Sequence, residues 1–366
     1  MKYLAVRAGI VLALLAVQSS SATPQAPSLD SARRALASGD GAGALALYEA
    51  LTQQGENLEA EIGMVRAALL AGEFRKAMSW ATLTAGEHKD SAEAVALLAY
   101  LHDRVGHTEQ ALADLKALPD SAVVAGARAE ILSSRMGAGQ KSSSGAWPRP
   151  AFERFPVSEE RVISAGNGLI VEGGARVLTY AAVLPEGAAT FYVRNGLGKL
   201  RRAERTPGDQ KGELVRLKLS DAYPSAWSFP EDQITVPDDT RFCFAFGYGA
   251  PRDLAGSYPA VAPGLVFRAD AGIGGLMQVT SALGAGHGGA PVFDPRGKLI
   301  GIAVGSGDIL IDGKNLRGQV GKGSFALRLP GTSSPTRLKG PQPPMPAIEE
   351  LYEKLSPSVV QLIAVR

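Results

Sequence analysis

The sequence predicts a multidomain α + β protein, a stack of helical repeats followed by an all-β barrel domain. From Asp30 to about Leu132 it is rich in Ala, Leu and Glu, with apolar residues three and four apart, the spacing of amphipathic helices. Within that stretch Gly39, Gly72 and Gly106 recur at intervals of 33 and 34 residues, and each is followed five positions later by an alanine, Ala44, Ala77 or Ala111. Beyond Pro150 the period changes: short runs rich in Val, Ile, Phe and Tyr, broken by Gly, Pro, Asn and Asp, follow one another at about ten-residue spacing.

Each segment has a physical reason. "MKYLAVRAGIVLALLAVQSSSATPQA" places Lys2 and Arg7 before an apolar run and then small residues, so residues 1–22 are expected to be a secretory signal peptide and the mature protein to be periplasmic or secreted. No later segment reads as a membrane span. In residues 29–136, a glycine permits the turn between two helices, and a small residue after it lets their backbones approach. "GEFRKAMSWA" and "GHTEQALADL" resemble tetratricopeptide repeats, with Tyr48, Phe74, Trp80 and Tyr100 at the large positions. That resemblance implies a concave groove for a peptide or partner, or else helices that pack against the rest of the chain. Residues 137–147, within "GAGQKSSSGAWPRP", form a Gly/Ser/Pro linker. Residues 148–335 are the β domain, residues 336–346 a Pro-rich linker, and residues 347–366 a helix and strand expected to complete a barrel, this chain's own first, with a neighbour's by swapping or a remnant of a second copy as alternatives.

Composition excludes several functions. The 366 residues are 45% hydrophobic and carry 38 basic and 36 acidic side chains, a net charge of +2, which gives no drive toward nucleic acid or an anionic membrane. The most basic stretch, Arg194 to Lys218, is interrupted by Glu204, Asp209 and Glu213 and reads as a solvated strand face. The single cysteine, Cys243, sits in "RFCFAFGYG" and cannot form an internal disulfide, so a buried small hydrophobe is expected. No spacing of His, Cys, Asp or Glu suggests a metal site, and no cofactor is expected.

From about Trp147 to Pro330, four segments in order resemble the trypsin-like serine peptidases of the periplasmic Deg (high-temperature-requirement) type. They are "GNGLIVEGGARVLTYAAVL", "FYVRNGLGKLRRAERTPGDQKGELVRLKL", "GHGGAPVFDPRGKLIGI" and "SFALRLP". The resemblance implies a double β-barrel. It places the family's catalytic histidine at Ala182, its aspartate at Glu213 and its serine at Gly288. Acyl transfer by this route needs a hydroxyl to attack and an imidazole to move its proton; a methyl group and a bare α-carbon do neither.

The oxyanion-type donors would be the backbone N–H groups of Gly286 and Gly288, which do not depend on side chains. Four glycines, Gly284, Gly286, Gly288 and Gly289, predict a relaxed turn filled by water. His287 is the one residual candidate for a site residue, with a locally packed or solvated turn residue as the alternative, and Ser281 stands seven positions before Gly288. The expected function is a catalytically inactive homologue, a pseudoprotease, that binds a protein or extended peptide segment, or serves as structural partner to an active protease. The alternative is an active serine-type endopeptidase whose catalytic residues lie elsewhere.

Overall fold

The computed structural model describes residues 27–136, 147–188, 190–236, 241–272, 275–305, 309–311, 314–316, 323–329 and 344–366. The expected signal peptide and nearly all of both expected linkers lie outside these residues.

Helices α1 (Leu29–Ala37) to α7 (Ala122–Met136) run as antiparallel neighbours: α1 with α2 (Gly41–Thr52), α3 (Leu58–Ala71) with α4 (Phe74–Glu87), and α5 (Ala92–Arg104) with α6 (Thr108–Lys116). Side-chain caps start several of them: Ser28, Asp40, Asn57 and Ser91 each accept a backbone N–H from the first turn that would otherwise be orphaned. Gly39, Gly72 and Gly106 all stand in the left-handed region, at φ of +82°, +83° and +90°, where a side chain is strained. Ala44, Ala77 and Ala111 are fully buried. The periodic glycines therefore mark the turns and the periodic alanines the crossings, as their spacing predicts.

The turn glycines have a second role. A Cβ at Gly39 would come 3.0 Å from the Ala151 carbonyl oxygen, at Gly72 2.9 Å from Leu197, and at Gly106 3.0 Å from Pro263. The ends of the three hairpins thus rest directly on the β half of the chain. Arg104 deepens the joint: it is 1% exposed, pairs with Asp103, and donates to the Tyr258 carbonyl at 2.8 Å.

The β half holds two closed antiparallel barrels. The first runs β2 (Arg176–Tyr180), β1 (Val162–Val171), β15 (Val359–Val365), β3 (Thr190–Asn195), β4 (Leu200–Glu204) and β6 (Leu214–Leu219); β6 pairs back onto β2, and short β5 (Gln210–Lys211) attaches to β6. The second runs β10 (Pro291–Phe293), β11 (Leu299–Gly305), β14 (Ser324–Arg328), β9 (Leu276–Val279), β8 (Ala260–Arg268) and β7 (Phe242–Gly247). Sequence runs "RVISA" and "GLIVE" are one continuous strand, β1, because Gly166, Asn167 and Gly168 all keep their pairing with β15.

The last residues close the first barrel. β15 is buried along its whole length, between Val162–Leu169 of β1 on one side and Thr190–Asn195 of β3 on the other. Before it, α8 (Ile348–Leu355) ends where Pro357 removes a helical donor. Tyr352 of α8 packs at 4.0 Å from the Phe74 ring of α4 and 4.9 Å from Phe246 of β7, and its hydroxyl donates to the Pro259 carbonyl at 2.7 Å. Among the described residues no helix is long and apolar enough to cross a membrane.

Candidate functional site

Positions 182, 213 and 288 come together where the two barrels meet. β2 ends at Tyr180 and the chain makes a tight turn over Ala181–Val183, while the Ala181 N–H donates to the Glu213 carbonyl at 2.8 Å. Residues 182 and 213 therefore sit on adjoining strand ends of the first barrel. From the second barrel comes the turn Ala285–His287 and Gly288, whose carbonyl accepts the Asn167 N–H of β1 at 2.8 Å. Ala182 is exposed, Glu213 half-buried and Gly288 buried.

The α-carbon of Gly288 faces Val183. A Cβ built there would lie 3.0 Å from Val183 Cγ1, and one on Gly166 would lie 2.7 Å from the same methyl. Val183, 8% exposed, thus lies against the position where a nucleophile's side chain would begin.

The turn departs from the relaxed, water-filled shape expected of a glycine-rich segment. Gly286, His287, Gly288 and Gly289 are all buried. A Cβ at Gly286 would fall 2.0 Å from the Gly249 carbonyl oxygen, and Gly289, at φ +82°, presses against the Asn167 carbonyl and Thr179. These glycines are present because backbone meets backbone, and close packing removes the freedom that their composition suggests.

His287 is 4% exposed, and its Nδ1 accepts the Gly284 N–H at 3.0 Å. With Nδ1 acting as an acceptor, the ring's proton belongs on Nε2 in the neutral form. The imidazole is thereby built into its own turn, which suits a fastener better than a proton shuttle. Ser281 is 1% exposed and lies 3.9 Å from Cys243 Sγ, inside the second barrel. Burial pushes the Cys243 thiol up to about 11, against a smaller opposing effect of the Ser281 hydrogen bond.

Sequence reasoning missed Asn167. It is fully buried, its Nδ2 donates to the Gly286 carbonyl at 2.9 Å, its Oδ1 accepts the Tyr248 N–H at 2.6 Å, and its own carbonyl accepts the Thr179 hydroxyl at 2.6 Å. One side chain thus ties the first barrel to both the 286–288 turn and the end of β7. The available signal was an asparagine between two glycines inside an apolar strand, an unusual place for a residue that prefers turns.

The charged stretch around it likewise places Arg194 on a solvated face. It is instead 1% exposed, donates to the Glu153 and Leu254 carbonyls and to Gln361 of β15, and stacks on Phe155. Burial lowers its pKa from the ordinary guanidinium value.

A second concavity lies on the helical side. A cavity of about 760 Å³ is lined by Leu36, Tyr48, Ile62, Leu97, Tyr100 and Trp147, among others, with Arg33, Arg66, Glu59 and Glu93 also on its walls. Trp147 is buried, with its ring 5.4 Å from that of Tyr100, and the segment it begins forms one wall. Arg149 holds that segment in place through Glu130 at 3.1 Å and Asp253 at 2.7 Å.

Residues 166–302 match the family model described as the trypsin-like peptidase domain. The β half of the chain accordingly is a trypsin-like double barrel standing behind a helical repeat region. Among solved structures, the chain is similar to the MamO protease domain from Magnetospirillum magneticum in its apo form, at 21% identity and a TM-score of 0.34, over 47% of this chain and 87% of that one. It is also similar to the serine endoprotease from Yersinia pestis, at 19% identity and a TM-score of 0.35, over 48% of this chain and 63% of that one, just under two thirds of that protein's length. The comparison with curated proteins gave no match.

Proposed function

We propose that this chain is an exported trypsin-fold protein without peptidase activity, a binding or adaptor module that holds an extended peptide or protein segment on the inner face of its helical repeats. The observation that carries this is the composition of the catalytic corner: a methyl group at 182, an α-carbon at 288 and the Val183 side chain packed against it. In a triad enzyme, losing the nucleophile or the base alone lowers turnover by about 10⁶-fold. A glutamate at 213 has no imidazole to orient, and the chain's other three histidines, His88, His102 and His107, belong to the helical region.

The cavity supports the binding half of the proposal. Its volume falls within the ~300–1,000 Å³ typical of ligand pockets, and an apolar floor with charged groups on its walls suits a segment whose side chains alternate between buried and solvated. Fluorescence anisotropy with labelled, unfolded casein peptides tests it directly. Binding should weaken at least about tenfold when Leu36 and Leu58, both only partly buried, are changed together to glutamate. Binding that survives this change sinks the groove as the site.

A further inference from the structure

Glu61, Glu87 and His88 lie far from the catalytic corner in sequence and on different elements. Glu61 is in the first turn of α3, Glu87 ends α4, and His88 follows as its C-terminal cap. Because α3 and α4 are antiparallel neighbours, the start of one meets the end of the other. One donor atom from each of the three residues lies within 4.8 Å of the other two. The sequence gives no hint of this, since the spacing between residues 61 and 88 belongs to the hairpin and not to any local ligand motif.

The cluster has a feature that ordinary acidic surface groups lack. Glu61 is only 6% exposed, and its Oε2 makes no hydrogen bond among the described residues; the same holds for His88 Nε2. These two atoms nevertheless face each other at 3.3 Å. A buried carboxylate oxygen without a donor is expensive, and the cost rises when its neighbour offers a lone pair or a misdirected proton. A cation between them satisfies both. With metal–ligand bonds of about 2.0–2.2 Å, two ligands on a tetrahedral zinc stand roughly 3.3–3.5 Å apart, the separation found here.

We propose that Glu61 Oε2, His88 Nε2 and the Glu87 carboxylate form a divalent transition-metal site of the zinc class that staples α3 to α4. Glu87 is exposed, so it is free to swing onto the ion. Glu56, 76% exposed with Oε1 3.8 Å from His88 Nε2, stands within reach of a fourth position that water otherwise fills. Two carboxylates neutralise a dication, and the imidazole favours zinc over magnesium or calcium, which prefer all-oxygen shells. The site does not depend on the peptide-binding function.

The test uses the full chain, stripped with chelator and titrated with zinc chloride by calorimetry, with thermal unfolding measured alongside. One equivalent of Zn²⁺ should bind and raise Tm. His88→Ala and Glu61→Gln should each weaken that binding at least about tenfold and abolish the Tm rise, while His107→Ala should leave both unchanged. Glu61→Gln keeps the shape of the side chain, and circular dichroism of each variant checks its fold. Zinc bound no more tightly by the wild-type chain than by His88→Ala overturns the proposal, as does undiminished binding in both variants. An equal response to Mg²⁺ overturns the ion class.

Discussion

Six strands close each of the two barrels, but they are drawn from the chain in opposite ways. The second barrel is assembled within one stretch, Phe242 to Arg328, and its widest pairing joins Leu276 to Leu327. In the first, Val162 pairs with Val365, and the strand that finishes the wall, β15, follows the whole of the second barrel in the chain. Long-range pairing must offset a loop-closure cost before its contacts contribute, which makes the first barrel the slower of the two to close. The corner between them needs both, taking positions 182 and 213 from the first and 288 from the second. The bonds that join it run through backbone groups and the side chains of Asn167, Thr179 and His287. A frame of this kind holds its shape whatever side chains stand at the three positions.

The difference is broken most severely by removing residues 344–366. The first barrel then loses the strand between β1 and β3, and soluble, cooperatively unfolding protein should no longer be recovered. Leu362→Asp, at a fully buried β15 position, is the point version and should cost about 4 kcal/mol or more in urea unfolding.

Next in size is Asp103→Ala, which removes the adjoining carboxylate from Arg104, buried at the joint between helices and barrel. About 3–5 kcal/mol should be lost in the same measurement. Asn167→Ala should cost about 1–3 kcal/mol by leaving buried groups unpaired. Hydrogen exchange should quicken most at the 286–288 turn and at Tyr248, which sharpens the comparison by showing how much of the link between barrels rests on the Asn167 side chain beside its backbone bond to Gly288.

The smallest effect concerns Cys243. A thiol held up to about 11 in the folded state favours folding while it is neutral, and that contribution fades as pH rises from the unfolded thiol's value toward 11. At pH 8, alkylation should proceed no faster than global unfolding, and quick labelling of native protein would show that the second barrel opens locally.

The sequence made some of this architecture legible and hid other parts for physical reasons. The glycine and alanine spacing could be read because each turn needs a left-handed residue and each crossing a small one. The strand ends that carry positions 182 and 213, and the turn that carries 288, could be read because strand patterns flank them. The packed state of the turn could not: glycine in sequence is the same whether it confers freedom or permits contact, and the Gly249 carbonyl that decides the matter lies elsewhere in the chain. Asn167, Arg194 and the Glu61–His88 pair were hidden alike, since their partners are backbone carbonyls or helix ends brought near only by folding. The segment at Trp147 belongs with them, read as the end of a linker and found as a buried wall of the helical cavity.

The most direct measurement is exposure of the purified protein to a fluorophosphonate probe together with an unfolded casein substrate, followed by mass spectrometry. Neither cleavage nor a modified serine is expected, at any pH where the protein is folded. Stoichiometric labelling of one serine, with cleavage lost when that serine is changed to alanine, would contradict the account.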